Sequence, residues 1–243
     1  MCSKFFVIVV CLVFCCLTET GSAVVIVSGV IPADTTWTSS DTILVTGSVT
    51  VADSVRLTIQ AGAVIMFANN TGLFVEGELM ADGEKTSCIH FTNSADTSGG
   101  SPVAGSWYGL NFPQNSTGIL YYCNLRYASD GVTVSRSSGE FYNCVIENFQ
   151  SKGFHIDGYQ LNPPITTVIE GGVVRQVESS LLGTGFGIYI YQSVDVSISN
   201  CSISGCDVGL DFFGQNTYAP HYQIYGCDIR DHATRGIYSH SGG

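Results

Sequence analysis

Along most of the chain, apolar residues occupy every second position in short runs, and Gly, Asn and Ser break the runs. One series reads Gly, apolar, any residue, apolar: GLNF from Gly109, GVTV from Gly131, GFHI from Gly153, GIYI from Gly187, GLDF from Gly209 and a decayed GIYS from Gly236. A period of two puts alternate side chains on one face, which predicts strands. A second series reads Cys, any residue, apolar: CNL at Cys123, CVI at Cys144, CSI at Cys201 and CDI at Cys227, with GVV at Gly172 in the place between Cys144 and Cys201. No window carries a sustained helical stripe with caps.

The two series interleave in units of roughly 21 to 34 residues, too small to bury an apolar face alone, so units must stack. Corresponding strands of successive units then pair in parallel, about 4.8 Å apart. The pattern predicts that Leu110, Phe112, Val132, Val134, Phe154, Ile156, Ile188, Ile190, Leu210 and Phe212 point into one core while their intervening neighbours are exposed. Cys123, Cys144, Cys201 and Cys227 share one inward position. A disulfide needs Cβ atoms near 3.8 Å, closer than in-register neighbours sit, so buried free thiols are expected there. Cys201 and Cys206 could close a small loop.

The strings VDVSISNCSISGCDVGLDF (194–212) and EFYNCVIENFQSKGFHI (140–156) resemble the PbH1 repeats of right-handed parallel β-helix proteins, the pectate-lyase-like (pectin lyase-like) superfamily. The front half, ILVTGSVTVADSVRLTIQAGAVIMF (43–67), LFVEGELMADG (73–83), CIHFTN (88–93) and WYGLNF (107–112), is similar to the first coils of exported members. The resemblance implies an all-β fold, a right-handed parallel β-helix (β-solenoid) with three short parallel sheets per turn. Its members span polysaccharide lyases, glycoside hydrolases, epimerases, adhesins and non-catalytic surface proteins, so it does not select an activity.

Composition narrows the role. Only 12% of the 243 residues are charged, and the net charge is −11, which leaves no basic surface for a phosphate backbone and argues against nucleic-acid binding. Residues 1–23 combine Lys4, an apolar run from Phe5 to Leu17 and small residues at Gly21 and Ala23. They read as a secretory signal peptide, with an uncleaved anchor as the alternative. The later chain has no transmembrane span, so a secreted or cell-surface protein is expected. Residues 24–42 form an N-terminal entry or capping segment and 43–243 the β-helix domain. GIYSHSGG offers no cap, so the helix is expected to be C-terminally incomplete, its last edge covered by further chain or by a partner.

Two outward columns could carry function. Third place in the Gly series holds Asn111, Thr133, His155, Tyr189, Asp211 and Tyr238, and two places on come Pro113, Ser135, Asp157, Tyr191, Phe213 and His240. Rings beside carboxylate, amide and imidazole groups suit sugars, whose apolar faces stack while their hydroxyls take hydrogen bonds. Asn111, His155, Asp157, Tyr189, Tyr191 and Asp211 are therefore the candidate carbohydrate-binding residues. The Cys series carries Arg126, Glu147, Arg175, Ser204 and Arg230, a ladder of alternating charge that stabilises weakly.

The expected role is an exported, non-catalytic module for extracellular or cell-surface structure and glycan binding, its partner an extracellular glycan or cell-surface molecule. It needs no cofactor and no metal. The alternative is a polysaccharide lyase or related carbohydrate-active enzyme. There Arg175 or Arg230 would serve as base, with Asp228 and Asp231 beside Arg230 and Ca²⁺ held by carboxylates, as the resemblance implies for lyases. The three neighbouring Asp residues, Gly-His-Gly turn and Arg-Ile-Lys strand of the superfamily's hydrolases do not occur, and Asp231-His232 is only a fragment of an epimerase Asp-Pro-His motif. Asp157 with Asp211 is the remaining carboxylate pair to weigh.

Overall fold

The computed structural model describes residues 23–158, 165–178, 181–192, 194–214 and 221–241. The signal peptide expected over residues 1–23 lies outside them except for Ala23. Among the described residues there is no helix, and hence none long and apolar enough to cross a membrane. The chain is an all-β parallel β-helix.

Three strands make one coil. Thr117–Tyr121, Cys123–Arg126 and Asp130–Ser135 are followed by Ser138–Tyr142, Val145–Glu147 and Lys152–Asp157, and each strand pairs in parallel with its counterpart. The Gly series forms one sheet and the Cys series a second, while a third runs from Thr35–Trp37 to Tyr222–Tyr225 with eight strands. The Gly and Cys sheets join at their N-terminal end, because Asp41–Val51 runs through both. Its Thr42–Val45 half pairs with Val64–Phe67 and its Val49–Val51 half with Leu73–Val75. The strand Ala23–Ile31 pairs along both halves of that strand across an irregularity between Val27 and Gly29.

The inward set is as the alternation predicts. Leu110, Val132, Phe154, Ile188 and Leu210 lie in register, as do Phe112, Val134, Ile156, Ile190 and Phe212, and all ten are at most 7% exposed. Around them packs a single core that also takes Phe67, Trp107 and Phe141. Cover is lost in the last coil, where Ile229 is half-buried and Ile237 is 56% exposed.

The Gly series marks a corner where coils crowd together. A Cβ on Gly153 would overlap the Val174 methyl Cγ1 and lie 2.5 Å from the Gly187 carbonyl oxygen. A Cβ on Gly187 or on Gly209 would meet the same obstacle, 2.5 Å from the carbonyl oxygen of the next glycine in the ladder. Gly153→Ala is therefore expected to cost about 1–3 kcal/mol by overpacking, read as a lower urea midpoint with the same slope. A midpoint equal to the parent's would mean the coils can separate there without loss.

The Cys ladder also has the expected register, Cys123–Cys144–Gly172–Cys201–Cys227. All six described cysteines are free, Cys201 and Cys206 included. Thiols of Cys144, Cys201 and Cys227 each donate to a carbonyl of the preceding coil, Leu120, Ile169 and Ile198, at 3.6 Å. Cys227 departs from expectation in being only half-buried; among the described residues no further rung of the ladder lies over it.

Candidate functional site

The register brings the two outward columns of the Gly sheet together. His155 pairs with Tyr189 and Tyr189 with Asp211, while Asp157 pairs with Tyr191 and Tyr191 with Phe213. Five of the six sequence-nominated glycan residues thus occupy three successive coils. The sixth, Asn111, stands two rungs from His155 across Thr133, about 10 Å along the axis. Its amide donates to the Gly109 carbonyl oxygen at 3.2 Å.

Rings dominate this face. Tyr191 stacks on Phe213, centroids 5.2 Å apart and planes 17° off parallel, and Tyr189 lies nearly parallel to Tyr191 at 6.4 Å. His155 and Phe186 both meet Tyr189 edge-on at 5.5 Å. Tyr189, Tyr191 and Phe213 stay half-exposed because they stand on the outside of a strand, and rigid pairing below fixes their spacing. Burial, then the nearby negative charge of Asp211, raises the Tyr189 phenol pKa, so it stays a neutral hydrogen-bonding group.

A third column beside these is a feature that the alternation reading missed. The residue just before each Gly of the series, Asp130, Lys152, Phe186, Val208 and Arg235, is also in register. Its signal was present as the residue preceding each repeat glycine. Asp130 Oδ2 lies 3.4 Å from His155 Nδ1 and 3.8 Å from Lys152 Nζ. Burial pushes the Asp130 carboxyl up, but the His155 hydrogen bond and the Lys152 charge outweigh it and hold the pKa below its ordinary value. Lys152 Nζ in turn sits 5.4 Å from the Tyr189 ring centroid. His155 is thereby oriented with one nitrogen toward Asp130.

Asp211 requires a correction. Alternation placed it outward and exposed, and it is on the outward side, yet it is only 4% exposed. In register it lies between Tyr189 and Tyr238, and a short side chain between two long ones on a ladder is covered by them. The other intervening neighbours, Asn111, Thr133, His155 and Tyr189, are half-buried rather than open for the same reason. Asp157 takes a hydrogen bond from Ser135 Oγ at 3.5 Å and is two rungs from Asp211 with the tyrosine coil between them.

The arginine column lies on the Cys sheet, away from this face. Arg126, Glu147, Arg175, Ser204 and Arg230 are in register. Glu147 joins Arg126 at 3.1 Å and Arg175 at 3.0 Å. Arg230 contacts Asp228 at 2.7 Å and Asp231 at 3.4 Å, all three exposed. Every arginine of the column is thus in an ion pair with a carboxylate. Among the described residues no group of three or more His, Cys, Asp or Glu converges as a metal site would require.

No family model matches the chain, and no curated protein matches it. Among solved structures, the periplasmic alginate epimerase AlgG aligns over 93% of this chain and 80% of its own, at 8% identity and a TM-score of 0.24.

Proposed function

We propose that the chain is an exported, non-catalytic β-helix module that binds extracellular or cell-surface glycans on its Gly-sheet face. The observation behind this reading is the outward ring array of Tyr189, Tyr191 and Phe213, flanked by the half-buried His155 and Asp157, while Asp211 lies covered between Tyr189 and Tyr238. Half-exposed rings held on strands lose little freedom on binding a flat sugar, and the flanking polar groups take its hydroxyls. The arginines offered for lyase chemistry are in ion pairs on a different sheet, as a stabilising ladder requires.

A panel of neutral, amino and uronate oligosaccharides tests the reading. Tyr189→Ala with Tyr191→Ala is expected to weaken glycan binding by roughly 1 to 3 kcal/mol together, about 5- to 150-fold in Kd. Arg175→Ala is expected to change stability by less than about 1 kcal/mol and leave binding alone, since exposed ion pairs contribute little. Appearance of unsaturated products from a uronate polymer with Ca²⁺, abolished by Arg175→Ala or Arg230→Ala in a folded variant, would establish the lyase instead.

A further inference from the structure

The corner between the third sheet and the Cys sheet holds an open surface groove of about 450 Å³ that neither outward column includes. It is lined by Tyr121, Tyr122, Tyr142, Asn143, Glu170, Gly171 and Asn200. The fold makes it in two steps. Tyr121, Tyr142 and Glu170 are successive rungs of one outward column of the third sheet. One residue later the chain turns through the left-handed region at Tyr122, Asn143, Gly171 and Asn200, with φ between 47° and 66°. Gly171 leaves a notch in that turn, because a Cβ there would come 2.5 Å from Asn143 Oδ1.

The chemistry of the lining is specific. Tyr121 and Tyr142 stack at 5.0 Å with planes 11° apart, which buries one face of each ring against the other. The far side of Tyr142 looks toward the next rung, where Glu170 stands exposed. Tyr142 donates its hydroxyl to Glu140 Oε2 at 3.0 Å, so the ring is held from its outer end and a second carboxylate is adjacent. The side chains of Asn143 and Asn200 are exposed along the rim. Among the described residues no Lys or Arg lines the groove. An aromatic face beside carboxylates, without a cation, disfavours uronates and suits a sugar that carries an ammonium group: the ring stacks, the ammonium meets Glu170, and the amides take hydroxyls.

We propose that this corner is a second glycan site, separate from the Gly-sheet face, and that it takes amino sugars of the glucosamine type. It stands on its own geometry and holds or fails apart from the proposed role of Tyr189 and Tyr191.

Calorimetric titration compares glucosamine oligomers, their N-acetylated counterparts and oligogalacturonate. Glucosamine oligomers are expected to bind the parent best. Tyr142→Ala should weaken them about two- to tenfold through the lost ring contact. Glu170→Gln, at an exposed position, should lower glucosamine affinity without changing that for the N-acetylated oligomer. Asp53→Asn, which removes the same charge at another exposed site, should change neither, separating the site from general attraction of a polycation to an acidic chain. Far-ultraviolet circular dichroism checks folding, and if Tyr142→Ala fails to fold the Glu170→Gln pair of measurements decides. Failure of glucosamine oligomers to bind overturns the proposal. So does binding that survives both substitutions, or that is lost only in the Tyr189 and Tyr191 variant. Loss of binding at Tyr189 and Tyr191 with this site intact, or the reverse, shows which of the two readings has failed.

Discussion

Between about pH 9 and pH 11, the buried thiols of Cys201 and Cys206 are each expected to remove about 1.4 kcal/mol of folding stability per pH unit. Burial pushes the Cys201 thiol up to about 11 and that of Cys206 to about 12, from an ordinary value of 9.0. Cys123 is raised too, by burial first and by its neighbour Cys144 second. The sign follows from proton counting. The folded chain keeps these protons after the unfolded chain has released them, so the unfolded state binds fewer protons and stability falls as pH rises. The contribution is whole below about pH 9 and lost as pH climbs through the folded values. Urea midpoints at about pH 8, 9.5 and 11 should therefore decline, and Cys206→Ala should flatten the decline. A slope unchanged by Cys206→Ala would mean this thiol is not held protonated by burial. Thiol alkylation gives an independent reading: Cys123 and Cys144 should label only after denaturant is added.

Trp107→Ala should cost about 3–5 kcal/mol, the range for truncating a fully buried aromatic ring. Trp107 is fully buried. Its ring stacks on Phe67 at 4.1 Å with planes 10° apart, and its Nε1 donates to the Arg126 carbonyl oxygen at 2.8 Å. These contacts pin the long connection 94–109 between strands Ile89–Asn93 and Leu110–Phe112 against the core. Trp107→Phe keeps part of the stacking but leaves the Arg126 carbonyl without its donor, and should cost about 1–3 kcal/mol. Denaturant unfolding checks both. A loss below about 1 kcal/mol in the Ala variant would place the ring outside the core.

Most of the architecture was legible because a parallel stack repeats its chemistry at fixed places. The glycine of each GΦxΦ element, where Φ is apolar, was visible as a repeat, and the crowding of a Cβ on Gly153 against the Gly187 carbonyl explains why nothing larger stands there. The place of Gly172 in the Cys ladder was likewise visible, since a glycine can stand where the ladder otherwise puts a small inward thiol. The longer spacing between Gly153 and Gly187 did not disturb the register, because the strands Lys152–Asp157 and Phe186–Tyr191 on either side of it still pair residue for residue. The third sheet was less visible. Its strands, such as Ser138–Tyr142, carry no marker residue at a constant place, so its outward column of Tyr121, Tyr142 and Glu170 went unread. The signal existed two places before each Cys-series residue.

The sequence alone determined which side chains point inward and which positions form ladders, because a period of two and a repeat leave only one register that buries every apolar column. Tertiary structure decided how deep each outward residue sits and which columns meet across a corner. Asp211 is covered because its rung neighbours are tyrosines, and the groove beside Tyr142 and Glu170 is lined by turn residues Asn143, Gly171 and Asn200 of three successive coils. Both depend on residues one coil away, about 20 to 35 positions distant in the chain, and such distances in space exist only once the coils have stacked.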